Sequence, residues 1–261
     1  MTYIIPIVIL AACGLIAGIL LTLASDFFYV KTDERVQKIN DTLPQANCGA
    51  CGFAGCADYA DAIINSGAAT NLCHPGGEKT SSKIAEILGV SAADVIPMTA
   101  VVHCNGNCDS TKTQFDFGGI QSCEAVKRFY SGNGACKFGC IGLGDCASIC
   151  EHNAITIKNG LAAVSPSLCR GCGLCVAKCP NGIISIKPKS SVTAVLCSSE
   201  DNGRSTRLVC SKGCIGCKIC EKKCPNGAIS VVNSHAVIDY EKCTSCAICI
   251  SACPAKVINE V

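Results

Sequence analysis

Twenty of the 26 cysteines in this 261-residue chain fall into five sets of four, at spacings that demand loops wound round metal. Four sets lie between Ala135 and Pro254. The first reads Cys136-x3-Cys140-x5-Cys146-x3-Cys150, and the second Cys169-x2-Cys172-x2-Cys175-x3-Cys179-Pro180. The third is Cys214-x2-Cys217-x2-Cys220-x3-Cys224-Pro225, and the fourth Cys243-x2-Cys246-x2-Cys249-x3-Cys253-Pro254. Zinc usually takes two C-x2-C knuckles separated by a spacer, not a triple knuckle followed by x3-Cys-Pro. Disulfides belong to small secreted domains in oxidising compartments. Three copies of this spacing point instead to polynuclear iron–sulfur centres.

The last three sets match the C-x2-C-x2-C-x3-C-P run of bacterial ferredoxins, whose fourth cysteine ligates the other cluster of a pair. Three thiolates two residues apart wrap a loop round three irons, and Gly171, Gly173 and Gly216 let the backbone approach the sulfides. The fourth cysteine opens a helix pointing away, and the proline after it suits a first helical turn. Cys169, Cys172 and Cys175 are therefore assigned with Cys150, and Cys179 with the first set. Likewise Cys214, Cys217 and Cys220 pair with Cys253, and Cys243, Cys246 and Cys249 with Cys224.

The first set departs from the run. Aligned on the third at an offset of 74 residues, Cys140-Ile141-Gly142 falls on Cys214-Ile215-Gly216 and Leu143 on Cys217, so the middle ligand is missing. Cys136 lies one turn upstream as a replacement, giving Cys136, Cys140, Cys146 and Cys179; a three-iron cluster is the competing reading. Each set is followed by a short apolar, β-branched segment such as Ile155-Thr156-Ile157, which reads as a strand. The region is thus two tandem ferredoxin-like units, 131–192 and 193–261, with little conventional core and much of their folding energy in metal ligation.

The fifth set is Cys48-x2-Cys51-x4-Cys56, then Cys73 sixteen residues on, followed by His74-Pro75-Gly76-Gly77. Three ligands in a glycine-rich loop and a fourth beyond a helix over Ala57–Ser66 fit one separate cubane cluster. Zinc is the alternative for this set alone, and His74 is a loop residue that four cysteines leave without a ligand's role. Ser81–Met98 reads as a helix and turn closing a small helical module, 31–98. Thr99–Tyr130 is a connector with its own strand, Ala100-Val101-Val102.

Ahead of these modules, Tyr3 to Ser25 carries no charge and is rich in Ile, Leu, Ala and Val. At 1.5 Å per residue this stretch is long enough for one transmembrane helix (1–26), with Cys13 as an apolar filler. Met1-Thr2 lacks the basic start of a secretory signal. Lys31, Arg35 and Lys38 after the helix predict a single-pass protein of the inner cell membrane with its bulk cytoplasmic. The expected fold class is accordingly α+β: one anchor, one small helical cluster module and two ferredoxin-like units. A formal net charge of +2 gives no reason to expect nucleic acid.

This order of parts resembles the B subunit of the Rnf complex over nearly the whole chain. The specific marks are Asn47–Cys56, Cys73-His74-Pro75-Gly76-Gly77 and Cys140-Ile141-Gly142-Leu143-Gly144-Asp145-Cys146. Cys150-Glu151, where Cys-Pro is usual, departs from the pattern. The resemblance implies an electron carrier that accepts electrons from reduced ferredoxin and hands them through [4Fe-4S] clusters to membrane partners and finally NAD+. It implies one component of an ion-translocating oxidoreductase without substrate chemistry of its own; the lipid bilayer and the other subunits would be its partners. No dinucleotide fingerprint follows a strand here, so NAD and flavin would belong to those subunits. A membrane-anchored polyferredoxin of another reductase or hydrogenase, and a redox sensor, are the alternatives.

Cys104, Cys108, Cys123, Cys197 and Cys210 remain. Cys123–Cys136 and Cys197–Cys210 share a spacing of thirteen, and Cys104 and Cys197 each follow a strand-like run, so Cys104, Cys123, Cys197 and Cys210 make a candidate sixth cluster beside five. Buried thiols are the other reading, and Cys108 is dispensable in both. Lys212, Lys218, Lys222 and Lys223 around the third set, with Arg170 and Lys178 at the second, form a candidate docking face for an acidic ferredoxin.

Overall fold

Two hairpins and two longer-range strand pairs, arranged alike in two successive units, carry the cysteine loops. The computed structural model describes residues 4–27 and 33–261. Helix α1 (Ile4–Phe27) covers most of the apolar N-terminal stretch. The expected transmembrane anchor is nevertheless corrected: among the described residues no helix is long and apolar enough to cross a membrane. The single-pass topology goes with it; the chain is a small mixed α/β fold with ferredoxin-like domains.

Helices α2 (Glu34–Thr42), α3 (Cys56–Asn65) and α4 (Gly77–Leu88) make the N-terminal module. Asp33 caps α2 by accepting from the Arg35 amide, and Gly89, left-handed at φ 68°, ends α4. Their apolar faces bury Val36, Ile39, Tyr59, Ile63 and Ile84 round Cys73. The Tyr59 hydroxyl is satisfied there, donating to the Ala69 carbonyl at 2.7 Å and accepting from the Leu72 amide at 3.2 Å.

The first ferredoxin-like unit comprises β1 (Met98–Val102), α5 (Cys123–Tyr130), α6 (Asp145–Ser148), β2 (Ile155–Lys158), β3 (Leu161–Val164), α7 (Leu174–Lys178) and β4 (Ile184–Pro188). The second comprises β5 (Thr193–Val195), α8 (Gly203–Val209), α9 (Ile219–Lys223), β6 (Ile229–Val232), β7 (His235–Ile238), α10 (Ile248–Ala252) and β8 (Ile258–Glu260). In both units the first strand pairs antiparallel with the last: Ala100 faces Ile186 on β1–β4, and Ala194 faces Asn259 on β5–β8. The inner hairpins β2–β3 and β6–β7 turn through Asn159-Gly160 and Asn233-Ser234, all four with positive φ as a primed two-residue turn requires. Strand β1, read from sequence as part of a connector, is thus the outer strand of the first unit.

Short contacts join the units. His103, one residue past β1, holds the Val195 carbonyl at 2.7 Å through Nδ1 and the Ser185 hydroxyl at 2.7 Å through Nε2. Burial lowers its pKa, so the ring is held neutral. Lys187 on β4 is buried and donates to the carbonyls of Ser191 and Val261, the latter at 3.3 Å, which compensates the cost of burying an ammonium.

Candidate iron–sulfur centres

Each of the four ferredoxin-type cysteine loops reverses direction at two left-handed residues, two and four positions after Cys140, Cys169, Cys214 and Cys243. These are Gly142 and Gly144, Gly171 and Gly173, Gly216 and Lys218, and Ser245 and Ala247. A left-handed non-glycine residue costs roughly 1–2 kcal/mol, and such strain is typical of ligand clamps. Glycine is obligatory at 142, where a Cβ would strike the Gly160 carbonyl of the hairpin turn. A Cβ at position 216 would likewise crowd the Ser234 carbonyl oxygen, at 2.9 Å.

Three apolar cavities are each ringed by four cysteines. Cys214, Cys217 and Cys220 share about 350 Å³ with Cys253, and Cys243, Cys246 and Cys249 share about 320 Å³ with Cys224. In the first unit Cys140, Cys146 and Cys179 share about 390 Å³ with Cys123, carried at the start of α5. Cys136 instead lines a separate cavity with Cys104, Cys197 and Cys210; Cys140 borders both. Cys169, Cys172 and Cys175 stand with Cys150 within electrostatic reach of one another, as do Cys48, Cys51 and Cys56 with Cys73. Cys108 is exposed.

Cys123 is held in place by Asp145, which sequence reasoning passed over. The buried carboxylate accepts from the Cys123 amide at 2.9 Å, the Glu124 amide at 3.1 Å and the Ser122 hydroxyl at 3.0 Å. Burial alone would raise its pKa, but these donors outweigh burial and hold the carboxyl below its usual range. Asp145 precedes Cys146, so one side chain locks α5 against α6. The equivalent residue in the second unit is Ile219, where no such clamp is needed.

The thiols are prepared as acceptors. Amides four residues on point at the outgoing cysteines: Ala154 at Cys150 (3.4 Å), Ala228 at Cys224 (3.3 Å) and Val257 at Cys253 (3.4 Å). The Ala100 amide of β1 donates to Cys169 at 3.3 Å. Such bonds favour the thiolate and tune the centre it binds. In the chain by itself burial works the other way, pushing Cys175 up to about 12 and Cys146 and Cys220 up to about 11. Ligation would therefore release protons. Among the described residues no three His, Cys, Asp or Glu side chains converge on one metal ion; the thiols instead bracket a cavity, as a polynuclear group requires.

The basic residues singled out from sequence are exposed. Lys222 and Lys223 occupy the last turn of α9, and Lys178 is drawn into an ion pair with Glu124 at 3.4 Å.

These loops, the cavities each closed by a cysteine from another loop, and the paired strands define a ferredoxin-type iron–sulfur electron carrier. A 4Fe-4S dicluster family model matches residues 138–183 and 213–257, a second 4Fe-4S dicluster model matches 168–229, and an Fe-S cluster model matches 43–75. The B subunit of the Na+-translocating ferredoxin:NAD+ oxidoreductase complex of Acetobacterium woodii is 37% identical, over 98% of this chain and 77% of its own length. The B subunit of the ion-translocating oxidoreductase complex of Methanosarcina acetivorans is 39% identical over 97% of this chain and 96% of its own length. Its counterpart in the proton-translocating ferredoxin:NAD+ oxidoreductase complex of Clostridium ljungdahlii is 38% identical over 94% and 87%. The chain belongs to this family, the B subunits of ion-translocating (Rnf) oxidoreductase complexes.

Proposed function

We propose that the chain carries single electrons through five [4Fe-4S] clusters inside a membrane-associated, ion-translocating oxidoreductase complex, from reduced ferredoxin toward the other subunits and NAD+. The observation that carries this reading is the set of three similar cavities, each ringed by four cysteines: three of one loop and one from the other loop in the second unit, and two of one loop with two from elsewhere in the first. Relatives matched over most of their length are named for the same transfer.

The ligand sets are Cys48, Cys51, Cys56 and Cys73; Cys123, Cys140, Cys146 and Cys179; and Cys150, Cys169, Cys172 and Cys175. The second unit supplies Cys214, Cys217, Cys220 and Cys253, and Cys224, Cys243, Cys246 and Cys249. When bound, each cluster supplies one-electron chemistry near neutral pH. The chain's own residues do the rest. Thiolates hold the irons, amides aimed at sulfur stabilise the charge, and walls such as Ile157, Ile183, Val195 and Ile258 exclude water. Cys48 and Cys172 lie within electrostatic reach of one another, so the N-terminal cysteine set stands beside the first unit's second set.

Lys212, Lys218, Lys222 and Lys223 make the face that receives ferredoxin. Substituting Lys222→Glu and Lys223→Glu should slow reduction by reduced ferredoxin about tenfold at low salt, less at high salt, with iron content unchanged. Stopped-flow reduction followed in the visible band measures it, and unchanged rates would place the donor elsewhere.

A further inference from the structure

Cys104, Cys136, Cys197 and Cys210 belong to none of those five sets, yet they surround one cavity of about 470 Å³ between the two ferredoxin-like units. The site is built twice from equivalent parts. Cys104 stands two residues past β1 and Cys197 two residues past β5. Cys136 and Cys210 stand four residues before Cys140 and Cys214, the first cysteines of their loops.

The hydrogen bonds are repeated too. Cys104 accepts from the Gly106 amide at 3.4 Å and the Cys140 amide at 3.4 Å. Cys197 accepts from the Ser199 amide at 3.4 Å and the Cys214 amide at 3.2 Å. An inert buried thiol requires no amides, whereas ligand thiolates are stabilised by them. The frame is stiff: Thr111 bridges to Cys210, its hydroxyl donates to the Val209 carbonyl at 2.9 Å, and the Ser198 hydroxyl donates to the His103 carbonyl at 3.0 Å.

We propose that this cavity holds a sixth [4Fe-4S] cluster, ligated by Cys104, Cys136, Cys197 and Cys210, which relays electrons between the two ferredoxin-like units. The assignment rests on the five-cluster reading for its neighbours. Cys104 takes its second amide from Cys140, a ligand of the first unit's cluster; Cys197 takes its own from Cys214, a ligand of the second unit's cluster. Each bridging thiolate is thus one hydrogen bond from the backbone of a ligand to the next centre. One electron enters from one unit's cluster, reducing the relay by one, and leaves to the other's; no bond is made or broken and no proton moves.

Iron, acid-labile sulfide and zinc are counted on the anaerobically purified full chain and on a Cys104→Ser/Cys197→Ser variant. The proposal expects about 24 irons with matching sulfide in the wild type and about 20 in the variant, at four irons per cluster. About 20 irons in both, with or without one zinc in the wild type, overturns the sixth cluster and leaves the five standing. A variant that loses all iron has failed to fold, and the wild-type count then decides alone: about 24 supports the site and about 20 refutes it. A wild type far below 20 irons refutes the five-cluster reading itself, whatever the variant shows.

Discussion

The second ferredoxin-like unit builds both its cavities from two regular loops; the first reaches the same result with one loop broken. Leu143 stands where the second unit has Cys217, and the corner this leaves at the cavity is filled by Cys123, twenty residues upstream of it on another element. The stretch from Cys104 to Cys136 is 19 residues longer than that from Cys197 to Cys210, and this excess carries α5 to the site. The comparison teaches that a cysteine joins a cavity by where its Cβ arrives, not by its place in a motif. A second difference accompanies the cysteine that comes from off the loop: the buried carboxylate of Asp145 stands in place of Ile219 and holds the Cys123 amide.

The largest expected difference lies at the loop glycines. Gly142→Ala should cost about 3 kcal/mol or more, adding overpacking against the Gly160 carbonyl to left-handed strain. Gly216→Ala meets a looser contact and should cost less. Iron retained under a chelator, followed by absorbance, ranks the two, and equal losses would break the inference that the first unit is packed tighter there.

Next comes the clamp. Asp145→Ala removes three hydrogen bonds to a carboxylate and should loosen α5 by about 2–4 kcal/mol. Clusters of the first unit should then be lost while those of the second persist. Ile219→Ala, at the matching position, should leave all iron in place. A smaller effect is expected at the junction. His103→Leu copies Leu196, the equivalent residue of the second unit, and deletes two side-chain bonds worth about 1 kcal/mol each. Iron content should hold while amide protons of β1 and β5 exchange faster.

The loops, the short strands and the repeat were legible because their information is local. Cysteines two residues apart and the alternating Ile155 and Ile157 each act within a few residues. What stayed hidden was long-range. Alternation marks Ala100–Val102 as strand-like, but pairing with Ile184–Ile186 depends on a contact more than eighty residues away. The fixed offset of 74 set Cys123 opposite Cys197, whereas the strand ends set Cys104 opposite Cys197; an insertion between them makes the first alignment coincidental. That both Cys104 and Cys197 follow strand-like runs was the usable signal. The burial of Lys187 left no trace in the sequence, since a lysine on a short strand ordinarily snorkels to solvent.

The central claim, that Cys123 restores to the first unit the ligand its loop has lost, is tested most directly by paramagnetic resonance. Both Cys123→Ala and Cys136→Ala are made in the Cys104→Ser/Cys197→Ser background, which removes the relay site. Oxidised Cys123→Ala should show the signal of a three-iron cluster, about one per chain, and Cys136→Ala should show none. A three-iron signal in Cys136→Ala, with Cys123→Ala unchanged, would return the ligand to the loop's own flank and contradict the account.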